Sequence, residues 1–358
     1  MNLDDLNRFR ELDTQNMCAH IDCLPDHLES AWKVGQTLPL PASFKSVKRL
    51  VVIGLGASAM AADFMAAVVA HSAPIPVFVN RGYDLPAWAS DLETGVIACS
   101  HSGDTEETLC AIDQVASRGT PMLAITTGGA LAMKMTQAGG ALWQYEFEGE
   151  SRAAVGWMLG LLLAFADRLG LATGLSEAVA ESVENMRERV KILGADSPTV
   201  KNPAKRLAGQ FIGRVPILYG SGILAPVARW WKIQLNENAK TVAQYEEVPE
   251  MNHNSLAGID NPPPLMTKVA IVFLLAPRSE KYGEGRVSLR FDLCRKLFLQ
   301  QGLAPDTIKA RGTSALAQIM SLVQFGTYVS YYAAMAYGVD PTPTVHIDEL
   351  KEGLAGAI

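Results

Sequence analysis

The sequence predicts an α/β protein built from parallel sheets covered by helices on both faces. Three observations predict it. Short apolar runs such as Gly95-Val96-Ile97-Ala98 alternate with helical segments along most of the chain, and strands buried on both faces read as unbroken apolar runs. A Gly/Ser-rich turn, Gly54-Leu55-Gly56-Ala57-Ser58, closes the first strand, and its pattern returns at Gly220-Ser221-Gly222. The 358 residues are 49% hydrophobic and 19% charged, enough apolar material for about two domains of ~150 residues.

Residues 1–45 mix polar and apolar positions and read as a helical lead-in. Leu50 to Gly54 is the first strand, followed by a small-residue helix from Ser58 to Ala70. Pro76 to Asn80, Gly95 to Ser100, Met122 to Thr126 and Ala141 to Glu146 complete a first series of strands. Arg152 to Leu171 and Ser176 to Leu193 are long helical patterns punctuated by Gly170 and Gly174, a bridge between two lobes. The second lobe repeats the grammar. A strand at Val215 to Tyr219 leads to a helix at Ile223 to Asn236 carrying Trp230 and Trp231. A strand at Val269 to Leu275, a helix at Ser288 to Gln300, a strand at Pro305 to Ala310 and a long apolar helix at Thr313 to Tyr337 follow. His346 to Leu350 reads as a short terminal helix, with Lys351 on it.

Composition excludes several function classes. The formal net charge is -6, and the 31 Lys and Arg are scattered, which argues against a nucleic-acid surface and leaves room for a local anion pocket. Cys18, Cys23, Cys99, Cys110 and Cys294 form no CxxC pair and are odd in number, so reduced thiols in a cytoplasmic protein are expected rather than a zinc site. The first residues, Met-Asn-Leu-Asp-Asp, lack a signal-peptide plan. The longest apolar stretch, Ala153 to Ala166, is too short to span a bilayer.

The chemistry-bearing residues gather at the turns. Cys99-Ser100-His101-Ser102-Gly103-Asp104-Thr105-Glu106-Glu107-Thr108 runs from a strand into a helix expected to continue from Leu109 to Ser117. Asp104 as N-cap with Glu107 three residues on would form a capping box. Such a turn aims free N–H groups and hydroxyls at one point and suits a phosphate or another anion; the plainer reading is a capped helix. Gly54 to Ser58 lets backbone approach a ligand closely, but Ala59 stands where a dinucleotide fingerprint needs its third glycine.

Asn236-Glu237-Asn238-Ala239-Lys240, followed by Glu246-Glu247-Val248-Pro249-Glu250-Met251-Asn252-His253-Asn254, reads as a helix C-terminus and a polar loop. That density of Asn, Glu and His between apolar elements is costly unless the groups find partners or a substrate. A Glu is suited to removing a proton beside a carbonyl, and a His to moving one at a ring oxygen. Arg152, expected to begin the bridging helix, has a planar fork that can pair with a nearby carboxylate, hold a phosphate or stabilise an enediolate.

Taken together, these motifs resemble the bifunctional phosphoglucose/phosphomannose isomerases, a branch of the sugar isomerase (SIS) superfamily, over about Val51 to Lys351. Ser100 to Thr108 looks like the SIS phosphate loop, and Asn236 to Lys240 with Pro249 to Asn254 is similar to the signature of this branch. The resemblance implies two SIS-type lobes of flavodoxin-like three-layer form. The lobes are expected at 1–150 and 200–345, with a helical bridge at 151–199 and a C-terminal helix at 346–358.

For the site, the resemblance implies phosphate binding by Ser58, Ser100, Ser102 and Thr105. It implies Glu237 as the base between C1 and C2, and His253 as a ring opener supplied across a homodimer interface. Arg152 would stabilise the enediolate, with Lys351 near the ring oxygen. A threonine handling the mannose epimer falls at Thr342 or Thr344, with Thr344 preferred. No metal or other cofactor is expected, and no nucleic acid or membrane partner. Ala57, Asp104 and Glu150-Ser151 depart from the family's usual Gly, Asn and Pro before the Arg. The implied activity is isomerisation of glucose 6-phosphate, and of mannose 6-phosphate, with fructose 6-phosphate. A non-catalytic sugar-phosphate sensor and a SIS isomerase for another sugar phosphate are the alternatives.

Overall fold

The computed structural model describes residues 2–89, 91–116, 119–277 and 284–356. Three helices open the chain: α1 (Leu6–Leu12), α2 (Met17–Asp22) and α3 (Leu24–Gly35). The first lobe follows as β1 (Arg49–Ile53), α4 (Gly56–Val69), β2 (Val77–Asn80), β3 (Thr94–Cys99), α5 (Glu106–Ala116), β4 (Met122–Thr126), α6 (Gly129–Gln137) and β5 (Ala141–Gln144). The expected end of α5 at Ser117 lies outside the described residues, as does the end of the segment 346–358. Helices α7 (Val155–Arg168) and α8 (Leu175–Leu193) come next. The second lobe comprises α9 (Pro203–Phe211), β6 (Val215–Ser221), α10 (Ala225–Glu237), β7 (Gln244–Val248), α11 (Pro263–Met266), β8 (Val269–Leu275), α12 (Glu284–Gln300), β9 (Asp306–Lys309) and α13 (Ala315–Tyr337). A terminal helix, α14 (Val345–Ala355), ends the described chain.

Both sheets are wholly parallel. The first has five strands in the order β2-β1-β3-β4-β5, and the second four in the order β7-β6-β8-β9. Each lobe's opening strand lies second, with its next strand on one side and the third on the other. That is the flavodoxin-like order, and the second lobe repeats it one strand short. The turns after β1 and β6 match as well, since Gly56 and Gly222 both take φ of +50°. Where the strand order reverses, between β1 and β3, the carboxyl ends of the strands open a crevice. In the first lobe this crevice holds the Ser58 turn after β1 and the Ser100 loop after β3.

One apolar core runs through both lobes. Helix α7 packs on α3 and α4, while α8 and α9 pack on α13. Helix α13 is buried along most of its length, including Tyr328, Tyr331 and Tyr332. Three close approaches fix α7: an added Cβ at Gly156 or Gly160 would collide with α3, and one at Gly35 would collide with Ala164. All five cysteines are free thiols.

Four expectations need correcting. Glu246 and Glu247 lie on β7, an edge strand paired to β6, rather than in a loop. Helix α9 had no sequence-based counterpart. Arg152 stands in a turn three residues before α7 instead of on its first turn. Asp104 does not cap its own helix: α5 begins at Glu106, and Asp104 Oδ1 accepts the N–H of Ala130 at the start of α6, at 2.9 Å.

Candidate active site

The phosphate-type loop is braced from within and from the loop beside it. Ser100 is buried; its Oγ accepts the N–H of Gly103 at 3.1 Å and lies 3.0 Å from Thr105 Oγ1. Ser102 is exposed, and its Oγ accepts the N–H of Asp104 at 3.2 Å, which leaves its own O–H free to donate. Gly103 takes φ of +79°, and an added Cβ there would lie 1.9 Å from the Gly128 carbonyl oxygen. Thr127 donates to the His101 carbonyl through its N–H (3.1 Å) and its Oγ1 (2.6 Å). Thr127, Gly128 and Gly129 therefore support the loop, a role the sequence reading missed. The apolar run of β4 leading directly into Thr126-Thr127-Gly128-Gly129 was the signal available.

Asp104 is engaged at the start of α6, where its Oδ1 accepts the Ala130 N–H. The Ala57 departure is likewise accommodated, because the left-handed backbone of that turn falls on Gly56 while Ala57 continues the helix. Ser58 is buried on the first turn of α4.

His101 links this loop to the segment before α7. Its Nε2 lies 3.0 Å from the Gly149 carbonyl and its Nδ1 2.9 Å from the Tyr145 hydroxyl. A carbonyl only accepts, so Nε2 carries the proton and Nδ1 accepts from Tyr145. Burial lowers the pKa of this imidazole, which keeps it neutral and the arrangement fixed.

One residue past Gly149, Glu150 meets Arg152. The Arg152 side chain is almost fully buried and every nitrogen is engaged. Nε donates to Asn238 Oδ1 at 2.7 Å, and Nη2 donates to the carbonyls of Pro341 (2.8 Å) and Thr342 (2.5 Å). Nη1 donates to Glu150 Oε2 at 3.2 Å and lies 3.5 Å from Glu237 Oε2.

Glu237 is the last residue of α10, delivered there by a helix whose Trp230 and Trp231 are buried. Burial raises its pKa, against the lowering pull of Arg152; the Glu150 charge adds to the rise, and Lys240 and Lys351 oppose it. Lys240 takes a left-handed backbone, φ of +54°, and donates its Nζ to the carbonyls of Glu237 and Pro341. Burial pushes the Lys240 ammonium down to about 8.

The structure thus brings together Ser58, Ser100, Ser102 and Thr105 at one crevice, and joins it through His101, Gly149 and Glu150 to Arg152 and Glu237. Lys351 is exposed beside Asp348, at 3.7 Å, with its charge felt at Glu237. Thr342, not Thr344, lies against Arg152 through its carbonyl, and its buried hydroxyl has no hydrogen-bond partner. His253 is exposed on the short helix after β7; no hydrogen bond ties it to the Arg152–Glu237 pair. Asn238 and the Pro341–Thr342 carbonyls were not anticipated as site residues.

Such an arrangement can hold an anion at the loop and move a proton at a carboxylate of raised basicity beside a fixed guanidinium. Comparison with known proteins agrees with that chemistry. Residues 43–134 match the SIS domain family, and residues 200–354 match the bacterial phospho-glucose isomerase C-terminal SIS domain. A bifunctional phosphoglucose/phosphomannose isomerase of Caldicellulosiruptor bescii is 35% identical over 336 residues, 93% of this chain and 97% of that protein. The chain belongs to this family. A second family member, from Aquifex aeolicus, is 31% identical over 86% of this chain and 90% of its own length. A solved structure of a hypothetical protein from Thermus thermophilus shares the fold with a TM-score of 0.73 at 14% identity, covering 99% of this chain and 94% of that one. The matched segments take in both lobes, the N-terminal loop at Ser100 to Thr105 and the C-terminal carboxylate of Glu237 alike.

Proposed function

We propose that the protein is a glucose-6-phosphate and mannose-6-phosphate isomerase that forms fructose 6-phosphate through a cis-enediol. The observation that carries this reading is Glu237, partly buried and of raised basicity, 3.5 Å from Arg152 Nη1. Ser58, Ser100, Ser102 and Thr105 hold the phosphate, where loop N–H groups and hydroxyls favour an anion. His253, with Lys351, opens the sugar ring. Glu237 then takes the C2 proton; the C2–H electrons form the C1–C2 double bond and the carbonyl pair moves to oxygen. Arg152 Nη1 counters that oxyanion; the proton of the C2 hydroxyl passes to O1, the O2 electron pair forms the new C2 carbonyl, and the C1–C2 double-bond electrons take back the proton from Glu237 at C1. Both C2 epimers reach the same enediol, so glucose and mannose substrates share the base. Thr342 or Thr344 handles the epimer's hydroxyl.

His253 comes from a second copy in this reading, so the enzyme is a homodimer. Its exposure in a single chain supports that, as does the exposed apolar surface of α14 at Val345, Ile347, Leu350 and Leu354. The reading also places the enzyme in the cytoplasm; among the described residues no helix is long and apolar enough to cross a membrane. A coupled assay with glucose 6-phosphate, mannose 6-phosphate and arabinose 5-phosphate, with and without EDTA, tests the proposal. Turnover of the first two without loss to the chelator is expected. No turnover of either would overturn it, and turnover confined to arabinose 5-phosphate would move it to another sugar phosphate.

A further inference from the structure

Arg152 Nη1 faces two carboxylates, and it treats them differently. It donates a hydrogen bond to Glu150 Oε2 at 3.2 Å, whereas Glu237 Oε2 stands at 3.5 Å and its carboxylate accepts no side-chain hydrogen bond among the described residues. The Nε–H and the two Nη2 N–H groups of the guanidinium are directed at Asn238, Pro341 and Thr342. Nη1 is therefore the one corner where partners can change.

We propose that Glu150 is a positioning residue that holds Arg152 Nη1 off Glu237 and keeps the base strong until an oxyanion forms. The inference rests on Glu237 being the proton carrier. A carboxylate that accepts a guanidinium hydrogen bond is stabilised in its charged form and is a weaker base. By holding one Nη1 N–H on its own side, Glu150 draws that corner of the guanidinium away from Glu237, which stands at 3.5 Å, and its own negative charge further disfavours ionisation of Glu237. The side chain of Glu150 is 37% exposed while that of Arg152 is 1% exposed. Glu150 can thus turn to water and release Nη1 to the developing oxyanion, while Arg152 stays fixed. Charges facing Glu237 are Arg152, Glu150, Lys240 and Lys351. Those facing Glu150 are Arg152, Glu237 and Lys240, and the imidazole of His101, neutral, lies against the adjoining Gly149 carbonyl.

The test reads the protonation of Glu237 directly. The full chain labelled with 13C at glutamate carboxyls is titrated by NMR, with Glu237→Gln assigning the resonance. Removing a negative neighbour favours the charged form, so Glu150→Gln is expected to lower the Glu237 midpoint by roughly half a unit to one unit. The acid limb of kcat for glucose 6-phosphate should move down with it, and the plateau should fall roughly two- to five-fold as the base weakens. Glu150→Asp, which keeps the charge, should move the midpoint less than Glu150→Gln. An unchanged or raised midpoint in Glu150→Gln overturns the proposal, whatever the activity. If that variant does not fold, Glu150→Ser removes the same charge and is read the same way. Should the unaltered enzyme fail to turn over sugar phosphates, the functional reading fails while the titration still decides the role of Glu150.

Discussion

Asn238 Oδ1 accepts the Nε–H of Arg152 at 2.7 Å across 86 residues of sequence. Asn238 is fully buried, and its Nδ2 donates to Gln234 Oε1 (3.0 Å) and Ser330 Oγ (2.9 Å). One amide thus ties the guanidinium to α10 and α13 together, fixing it before substrate arrives. Asn238→Ala would strand the Arg152 N–H and the Gln234 carbonyl in a dry interior, at about 2–4 kcal/mol of stability. It would also let Arg152 drift, and a displacement near 1 Å at a catalytic group costs on the order of 100-fold in rate. Urea unfolding and kcat on glucose 6-phosphate check both effects. A variant with ordinary kcat would show that Arg152 is not held by this bond.

Glu237→Gln keeps the size of the side chain and removes the base. Turnover should fall by roughly 100- to 10,000-fold, with the substrate dissociation constant, measured by calorimetry on fructose 6-phosphate, changed by no more than a few-fold. Near-normal turnover would remove Glu237 from the mechanism.

The first lobe was readable because its central strands β1, β3 and β4 are buried on both faces and carry mostly apolar residues, so they stand out as runs. Strand β7, Gln-Tyr-Glu-Glu-Val, lies at a sheet edge with mixed exposure, and its polar residues masked it. Glu237 and Arg152 could be singled out as residue types in a suspicious setting. What joins them could not: Asn238 and the Pro341 and Thr342 carbonyls meet Arg152 across 86, 189 and 190 residues, and such meetings leave no local pattern. Asp104 shows the converse error. An acidic residue before a helix usually caps it, but here Gly128 and Gly129 bring the start of α6 close enough to capture the side chain.

Gly103 should be the least replaceable residue of the Ser100 to Thr105 loop. Alanine there needs a left-handed backbone and places a carbon 1.9 Å from the Gly128 oxygen, so the two loops must separate. Gly103→Ala should lose upwards of about 1 kcal/mol of stability and, with the loop displaced, raise KM for both sugar phosphates together. Gly209→Ala is the control: Gly209 lies in α9 with nothing within 4 Å of an added Cβ, and alanine should stabilise by roughly 0.5–1 kcal/mol. Unaltered KM in Gly103→Ala would separate this loop from substrate binding.

His27 gives the fold an acid weakness apart from catalysis. Its ring meets Phe147 edge-on at 5.2 Å, and its buried Nδ1 has no hydrogen-bond partner. Burial, assisted by His20, holds the imidazole down to about 4, with Asp26 pulling the other way. The unfolded chain, with an ordinary histidine near 6.5, therefore binds the proton that the folded chain refuses. Stability contributed by this site is full above about pH 6.5 and falls as the pH drops toward 4, by up to about 2 kcal/mol between pH 7 and pH 5. His27→Leu removes the titrating group and fits the apolar surroundings of Leu24 and Phe147. Urea midpoints measured at both pH values should converge for the variant and separate for the unaltered protein. Equal acid sensitivity in the two would place the weakness in another group.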